Sequence, residues 1–149
     1  MPAPRLRATP LAAFERDGLK AALRKAGLPS DDVGQDDSLF WRFETPNDVP
    51  VGFGGLEVHG RDALLRSVVT LPPLRRRGFG AAIIAAIEQE ADLRGCRAIY
   101  LLTASQAEFF SHLGYAACRR DEAPDAIRAT AQFAALCPES AATMVKRMM

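Results

Sequence analysis

The residues of this sequence best suited to chemistry form a basic, glycine-containing turn directly before an apolar helical segment. Residues 75–80 are Arg-Arg-Arg-Gly-Phe-Gly; they follow two prolines and precede a helical pattern that begins at Ala81. Successive backbone N–H groups at a helix N-terminus bind anions, and glycine lets the backbone approach a phosphate closely. The three arginines add positive charge. The segment therefore predicts a pyrophosphate site, with an ordinary basic turn as the alternative.

Two common nucleotide-binding motifs do not account for this turn. A P-loop requires Lys followed by Ser or Thr after its second glycine, and no such pair follows Gly80. The dinucleotide-binding fingerprint requires a third glycine where this sequence has Ile83. A pyrophosphate at this turn would therefore be bound by a different kind of motif.

The strands and helices around the turn are predicted from hydrophobic periodicity and from the Gly and Pro residues that end each segment. Strands are predicted at residues 5–8, 39–44, 51–58, 63–70, 98–102, 115–119 and 143–148. Helices are predicted at residues 10–27, 81–94, 107–113 and 125–136, the first with Thr9 as N-cap and Pro10 at its first position. An antiparallel meander in the first half, followed by alternating helices and strands, predicts an α+β fold with about six to seven strands and about four helices.

Composition limits the class of protein. The 149 residues have the length of one domain, and 48% are hydrophobic and 25% charged, as in soluble globular proteins. The net charge of +1 argues against a general nucleic-acid binder, and no apolar run reaches the ~20 residues that cross a membrane. Cys96, Cys118 and Cys137 are widely spaced and odd in number, so we expect reduced thiols in the cytoplasm rather than disulfides or a metal site.

Two motifs together give the turn a specific interpretation. Arg75-x-x-Gly78-x-Gly80, between a strand and a helix, resembles the acetyl-CoA motif of the GNAT N-acetyltransferase superfamily. Residues 109–115, Phe-Phe-Ser-His-Leu-Gly-Tyr, resemble the family's F-Y-x-x-x-G-F signature at a helix-to-strand junction. The order of predicted elements is similar over nearly the whole chain. The resemblance implies a single acetyltransferase domain over residues 1–149 with a GNAT-like mixed sheet.

Within that superfamily the sequence is similar to the arsenic-resistance N-acetyltransferases. The similarity lies in residues 55–57 (Gly-Leu-Glu), Gly60, residues 63–67 (Ala-Leu-Leu-Arg-Ser) and residues 136–141 (Leu-Cys-Pro-Glu-Ser-Ala). The last segment also resembles bacterial glutamate N-acetyltransferases. Cys137 within it is either an arsenic ligand or, as is more usual for a single thiol, a packing residue.

The resemblance implies acetyl-CoA-dependent transfer of an acetyl group to the primary amine of a small, amino-acid-like acceptor. From charge, apolar run length and cysteine spacing we expect no nucleic-acid partner, no membrane partner and no metal, and a homodimer is one option for the assembly. The backbone N–H of Val69 would polarise the thioester carbonyl as an oxyanion site, and the strand end at Val68, Val69 and Thr70 would pair with the pantetheine arm. The implied acetyl-CoA contacts are Val68, Val69, Thr70, Arg75, Arg76, Arg77, Gly78, Phe79, Gly80, Ala81 and Phe110.

Removing a proton from the incoming ammonium requires a base. Strand alternation places Glu57 in register with Val51, Phe53 and Gly55, and we predict Glu57 as that base. A solvated carboxylate without a catalytic role is the alternative. His59 is a further candidate because its pKa suits proton transfer near neutral pH.

The position that commonly supplies the acid for the leaving CoA thiolate differs here from the family pattern. A tyrosine commonly stands where this sequence has Phe110, which cannot donate a proton; Ser111, His112 and Tyr115 are the alternatives. A thiolate with a pKa of about 8.5 leaves tolerably without help, so we expect a moderate loss of rate. A GNAT fold that binds acyl-CoA as a non-catalytic sensor is the second hypothesis.

Arg66 and Ser67 are the predicted acceptor contacts, beside the groove that the resemblance implies. A guanidinium there can bind a carboxylate or an arsenical oxyanion through two parallel hydrogen bonds. The alternative for Arg66 is a surface ion pair with Glu57.

Overall fold

The computed structural model describes residues 5–28, 30, 33, 38–71, 78–136 and 141–148. Its strands are β1 (Arg7–Pro10), β2 (Leu39–Glu44), β3 (Pro50–His59), β4 (Asp62–Thr70), β5 (Ala98–Thr103), β6 (Ala116–Cys118) and β7 (Ala142–Arg147). Its α-helices are α1 (Arg16–Lys25), α2 (Phe79–Leu93), α3 (Ala107–His112) and α4 (Asp125–Arg128). The strands form one seven-stranded mixed sheet in the order β1-β2-β3-β4-β5-β7-β6. The predicted α+β fold is confirmed.

The sheet consists of two antiparallel blocks joined by a short parallel seam. Strands β1 to β4 form the predicted meander, and β5, β6 and β7 form the second block. The seam between β4 and β5 contains three residue pairs and ends at Leu64 with Tyr100. Beyond this point the two strands separate, so one edge of β4 is left open.

A β-bulge lies in β4 just beyond the seam. The register with β3 passes from Gly55↔Arg66 directly to Phe53↔Val69, so β4 contributes one more residue than β3 between these pairs. Ser67 lies in this stretch and has a left-handed backbone with φ of 57°. An extra residue with left-handed φ is one known form of bulge, and it changes the side-chain alternation of the strand.

The altered alternation distributes the end of β4 between two cores. On one face, α2 packs Ile83 and Ile87 into a core that includes Leu65 and is lined by Val68. On the other face, Val69 packs into the core beneath α1. The bulge therefore decides which side chain of the strand end points to which helix.

The first predicted strand and the first predicted helix have different bounds in the structure. Pro10, predicted at the start of the first helix, pairs with Trp41 at the end of β1, and α1 begins only at Arg16 after a 3-10 turn at Ala13–Glu15. The edge position of β1 tolerates a proline because no further strand needs its missing N–H. The first strand accordingly runs over Arg7–Pro10 rather than residues 5–8.

The helix predicted at residues 125–136 is broken into α4 and a π-helical turn at Gln132–Leu136. Thr130 lies at the break, where its hydroxyl donates to the carbonyl oxygen of Ile127 at 2.7 Å. A threonine side chain that bonds to the backbone competes with regular helix hydrogen bonds. None of the helices in the described residues is long and apolar enough to span a membrane.

Candidate functional site

A large cleft opens where β4 and β5 separate. Its volume is about 1190 Å³, somewhat above the ~300–1,000 Å³ of typical small-molecule sites. The floor is the strand end of β4, one wall is the end of β5 with the residues after it, and α2 and α3 close the cleft. The predicted site residues among the lining are Arg66, Ser67, Val68, Val69, Thr70, Gly78, Gly80, Ala81 and Phe110.

The N-terminus of α2 lies at this cleft. The helix begins after Gly78, whose φ of 78° is the left-handed conformation that glycine adopts without strain. The first turn carries no acidic side chain that would neutralise the helix dipole. A Cβ at Gly80 would lie 3.4 Å from the Phe109 ring and 3.6 Å from the Thr70 hydroxyl, so glycine keeps this corner open. Arg75, Arg76 and Arg77 lie outside the described residues.

Within the described part of the chain, the cleft lining contains basic side chains and no acidic ones. Its charged lining residues there are Lys25 and Arg66, and no aspartate or glutamate lines it. The open edge of β4 also presents backbone groups that an extended ligand can pair with. Together with the helix N-terminus, these features suit an extended anionic ligand. Phe79, by contrast, packs against the α2 core and does not line the cleft.

Arg66 extends from the cleft floor into a buried polar cluster. Its Nη1 donates to Glu57 Oε2 at 3.1 Å and to Ser38 Oγ at 3.3 Å, and its Nε donates to Ser67 Oγ at 3.3 Å. The guanidinium also stacks 5.4 Å from the centre of the Phe40 ring. The side chain has 0% exposure. The ion pair with Glu57 that sequence analysis offered as the alternative is therefore present, but it is buried rather than on the surface.

The predicted base lies behind Arg66 and is not among the described residues that line the cleft. Its second carboxylate oxygen, Oε1, lies 3.5 Å from Nε2 of His59, which is 33% exposed. The predicted alternation holds for Phe53, which packs beneath α1 on the same face as Glu57. It fails for Val51, which packs into the α2 core because the β2–β3 register shifts beside it.

The alternatives for the thiolate acid lie away from the cleft lining. Ser111 and His112 are on the exposed side of α3. Tyr115 is buried, and its hydroxyl donates to Glu88 Oε2 at 2.9 Å. Burial and the neighbouring Glu88 carboxylate raise the pKa of Tyr115 far above its ordinary value, so this phenol keeps its proton. Phe110 lines the cleft, and its contact with acetyl-CoA stays a prediction.

Sequence analysis overlooked several cleft residues. Thr103 ends β5 and Ser105 lies two residues further on, where polar residues between a strand and a helix were an available signal. The Thr103 hydroxyl accepts the Gln106 N–H at 2.9 Å. Lys25 and Gln132 reach the cleft from distant segments, for which the sequence contains no local signal. Lys25 also borders an adjoining cavity of about 300 Å³ beneath α1.

Other chemistry is not indicated by the described residues. They contain no group of three His, Cys, Asp or Glu side chains arranged to hold a metal ion. Cys96 and Cys118 are free thiols, and burial raises the pKa of both. Cys137 falls outside the described residues, so its predicted roles stay predictions.

The open sheet and its cleft suit an extended anionic ligand, and comparison with known proteins identifies the family. The model of the Acetyltransferase (GNAT) family matches residues 8–115. This chain belongs to the GNAT family. N-alpha-acetyltransferase 80 of Mus musculus is 37% identical over 76 residues, which is 48% of this chain and 24% of that protein. The chain thus spans about a quarter of that relative's length.

Solved structures show the same fold. N-acetylglutamate synthase from Neisseria gonorrhoeae, complexed with coenzyme A and N-acetyl-glutamate, has a TM-score of 0.80 at 16% identity over 99% of this chain and 36% of that one. Tetrahymena GCN5 has a TM-score of 0.75 at 11% identity over 96% of each chain. PaiA N-acetyltransferase from Thermoplasma acidophilum, complexed with coenzyme A, has a TM-score of 0.67 at 14% identity over 96% of this chain and 99% of that one. The resemblance to arsenic-resistance enzymes stays a prediction.

Proposed function

We propose that this chain is an acetyl-CoA-dependent N-acetyltransferase that acetylates the primary amine of a small, amino-acid-like acceptor. The observation that carries the proposal is the cleft opened by the three-pair seam between β4 and β5. It combines an open strand edge, a helix N-terminus without a first-turn carboxylate and a lining without described acidic residues. Two of the similar solved structures are complexes with coenzyme A, which supports the same ligand here.

The proposed acetyl-CoA contacts follow the length of the cleft. The pantetheine arm pairs with the open edge of β4 at Val68, Val69 and Thr70, as an added strand would. The pyrophosphate binds the turn at residues 75–80 and the first backbone N–H groups of α2. Phe110 contacts the thiol end of the cofactor from α3. Gly78 and Gly80, at the proposed pyrophosphate end, and Phe110, at the proposed thiol end, all line the cleft.

The reaction needs few protein groups. The acceptor nitrogen attacks the thioester carbonyl, the C–N bond forms, the C–S bond breaks, and the nitrogen loses a proton. The N–H of Val69 stabilises the oxyanion that develops in between. The sequence predicts Glu57 or His59 as the acceptor of this proton, but neither is among the described residues that line the cleft. The CoA thiolate leaves without a tyrosine at Phe110, at a moderate cost in rate because its pKa is about 8.5.

A carboxylate-bearing acceptor fits the charges of the cleft. Lys25 is exposed at its rim, and no described carboxylate lines the cleft, whereas Arg66 in the floor is paired with the buried carboxylate of Glu57. Because the guanidinium of Arg66 is fully buried, Lys25 is the cation more available to the acceptor. The resemblance to arsenic-resistance and glutamate N-acetyltransferases makes arsenical amino acids and ordinary amino acids the acceptors to test first.

Thermal unfolding with acetyl-CoA tests cofactor binding. At a ligand concentration about 100 times Kd, binding adds about 2.7 kcal/mol to the free energy of unfolding. For a chain of this size that raises Tm by roughly 5–11 °C. The absence of a shift in a protein that unfolds cooperatively would refute the cofactor site.

CoA release against a panel of amines tests the reaction. The panel contains amino acids, arsenical amino acids, polyamines and peptides with free N-termini. We expect turnover with a carboxylate-bearing amine, and we expect Lys25→Gln to raise its KM two- to fivefold, roughly the worth of one exposed charge pair. Lys20→Gln, on the same helix but outside the cleft lining, is the matched control. Acetyl-CoA binding without turnover on any amine would favour the sensor hypothesis instead.

A further inference from the structure

We infer that Arg66 is a positioning residue that holds the backbone of the β4 bulge, and that Glu57 acts through Arg66 rather than on the acceptor amine. The inference rests on the proposed function for its consequence in catalysis. The observations behind it are the left-handed backbone of Ser67, the buried bonds of the guanidinium, and the position of Glu57 outside the cleft lining.

The backbone conformation of Ser67 requires stabilisation by its surroundings. Its φ of 57° lies in the left-handed region, which is unfavourable for residues with a Cβ and is uncommon for serine. Such a conformation persists only where the surrounding structure maintains it. The Ser67 hydroxyl accepts a bond from Nε of Arg66 at 3.3 Å, and both side chains are buried.

Arg66 is itself anchored on two neighbouring strands. Glu57 of β3 and Ser38, which precedes β2, both accept bonds from its Nη1. The Phe40 ring of β2 packs 5.4 Å from the guanidinium carbon. The guanidinium therefore ties the bulge to β3 and to the start of β2, so its position does not depend on β4 alone.

The bulge determines what the cleft presents to acetyl-CoA. Without the extra residue in β4, every residue after Arg66 would move by one position in its register with β3. A one-residue shift exchanges the faces of every following side chain. Val68 and Val69 would then swap faces, and the backbone edge offered to the pantetheine arm would change with them.

Glu57 contributes the negative charge of the buried cluster around Arg66. Its Oε2 accepts from Arg66 at 3.1 Å, and its Oε1 lies 3.5 Å from the imidazole of His59. Both carboxylate oxygens thus face basic side chains. A buried guanidinium needs such a partner, because breaking a buried ion pair leaves an uncompensated charge.

A double-mutant cycle on acetyl-CoA affinity tests the role of Arg66 without needing an acceptor. We expect Arg66→Met to raise the Kd for acetyl-CoA about tenfold, by isothermal titration calorimetry. In the Ser67→Gly background the same change should cost under about threefold, because glycine adopts positive φ without help. An equal loss in both backgrounds, or no loss in either, would overturn the inference. Arg94→Met, which removes a partly exposed ion pair with Glu90, is the control and should leave Kd unchanged.

A second pair of variants covers the case in which Arg66→Met does not fold. Ser67→Ala and Ser67→Gly both remove the hydroxyl and leave the Arg66–Glu57 pair intact. Only alanine keeps a Cβ in the left-handed conformation, so we expect its Kd to exceed that of the glycine variant about tenfold. Equal Kd values would show that the left-handed backbone is not what the hydrogen bond maintains, and would contradict the proposal. Circular dichroism checks that each variant is folded.

Glu57 is tested by comparing Glu57→Gln with Glu57→Ala. The glutamine amide oxygen can still accept from Arg66, so a positioning role predicts that alanine raises the Kd for acetyl-CoA and that glutamine recovers most of the loss. A general base predicts that both variants lower kcat equally, by about 100-fold or more, with Kd intact. That second pattern would refute this part of the inference. If wild type acetylates no amine, the proposed function fails, while the Kd measurements still test the bulge.

Discussion

Gly52→Ala is the substitution that most directly tests how β3 fixes the cleft. Gly52 pairs with Thr70, the last residue of β4. A Cβ at this position would lie 2.2 Å from the carbonyl oxygen of Val69 and 2.9 Å from Cδ1 of Ile83. The isoleucine can rotate, but the carbonyl is backbone and can move only if the strand end moves. Alanine must therefore push the end of β4 away from β3.

The expected cost follows from overpacking, which destabilises by about 1–3 kcal/mol. At about 2–4 °C per kcal/mol for a chain of this size, Tm should fall by about 2–12 °C. The displaced strand end carries the proposed oxyanion N–H, and a misplacement of about 1 Å can lower kcat by about 100-fold. Calorimetry measures the first effect and CoA release the second.

Gly18→Ala is the matched control for this substitution. Gly18 lies within α1, and a Cβ there would meet no atom within 4 Å. Alanine is favoured over glycine in a helix by about 0.5–1 kcal/mol, so Tm should rise by about 1–4 °C. If Gly52→Ala instead melts at or above the wild-type Tm with unchanged kcat, then contact with β3 does not hold the strand end, and the reasoning is wrong.

Three other predictions concern single side chains. Phe110→Tyr supplies the phenol that the family commonly has, and steady-state kinetics should show a higher kcat; a lower value would mean that the cleft cannot accommodate the hydroxyl. Tyr115→Phe removes the bond to Glu88 and should lower the free energy of unfolding in urea by about 1–2 kcal/mol, and an unchanged value would contradict it. Burial raises the pKa of the Cys96 thiol above its ordinary 9.0, so its contribution to stability is complete below that pH and is lost as pH rises through the folded-state pKa. Cys96→Ala should therefore flatten the fall of Tm above pH 9.0, and an identical fall would refute this.

Much of the fold could be predicted because its signals are local. Alternation and turn residues placed the β3–β4 hairpin, and apolar spacing with a glycine stop placed α2 within two residues of its start. The start of α1 was wrong because Thr9 and Pro10 form the same local pattern at a helix N-terminus as at an edge strand. The pairing of Pro10 with Trp41 decides between them, and that contact spans 31 positions of the chain.

The site was less accessible to prediction because its geometry depends on long-range burial. The strand end and the helix N-terminus were placed correctly, since both follow from local patterns. Nothing around Ser67 signals a left-handed backbone, which lies where the register between β3 and β4 shifts. The ion pair of Arg66 with Glu57 was one of two alternatives, but its burial depends on Ser38, 28 positions away.

The buried cluster beneath the cleft is better explained by geometry than by stability. Removing a guanidinium and a carboxylate from water costs several kcal/mol per ion, and apolar residues of similar volume often stabilise a fold as well or better. The chain nevertheless places Arg66 and Glu57 directly beside the one stretch of β4 that departs from regular pairing. A straight strand would need no such anchor, and a sheet paired along the whole of β4 and β5 would leave no room for a ligand. The seam that ends at Leu64 makes the opening, and the guanidinium that bonds to Ser67 keeps its floor in one conformation.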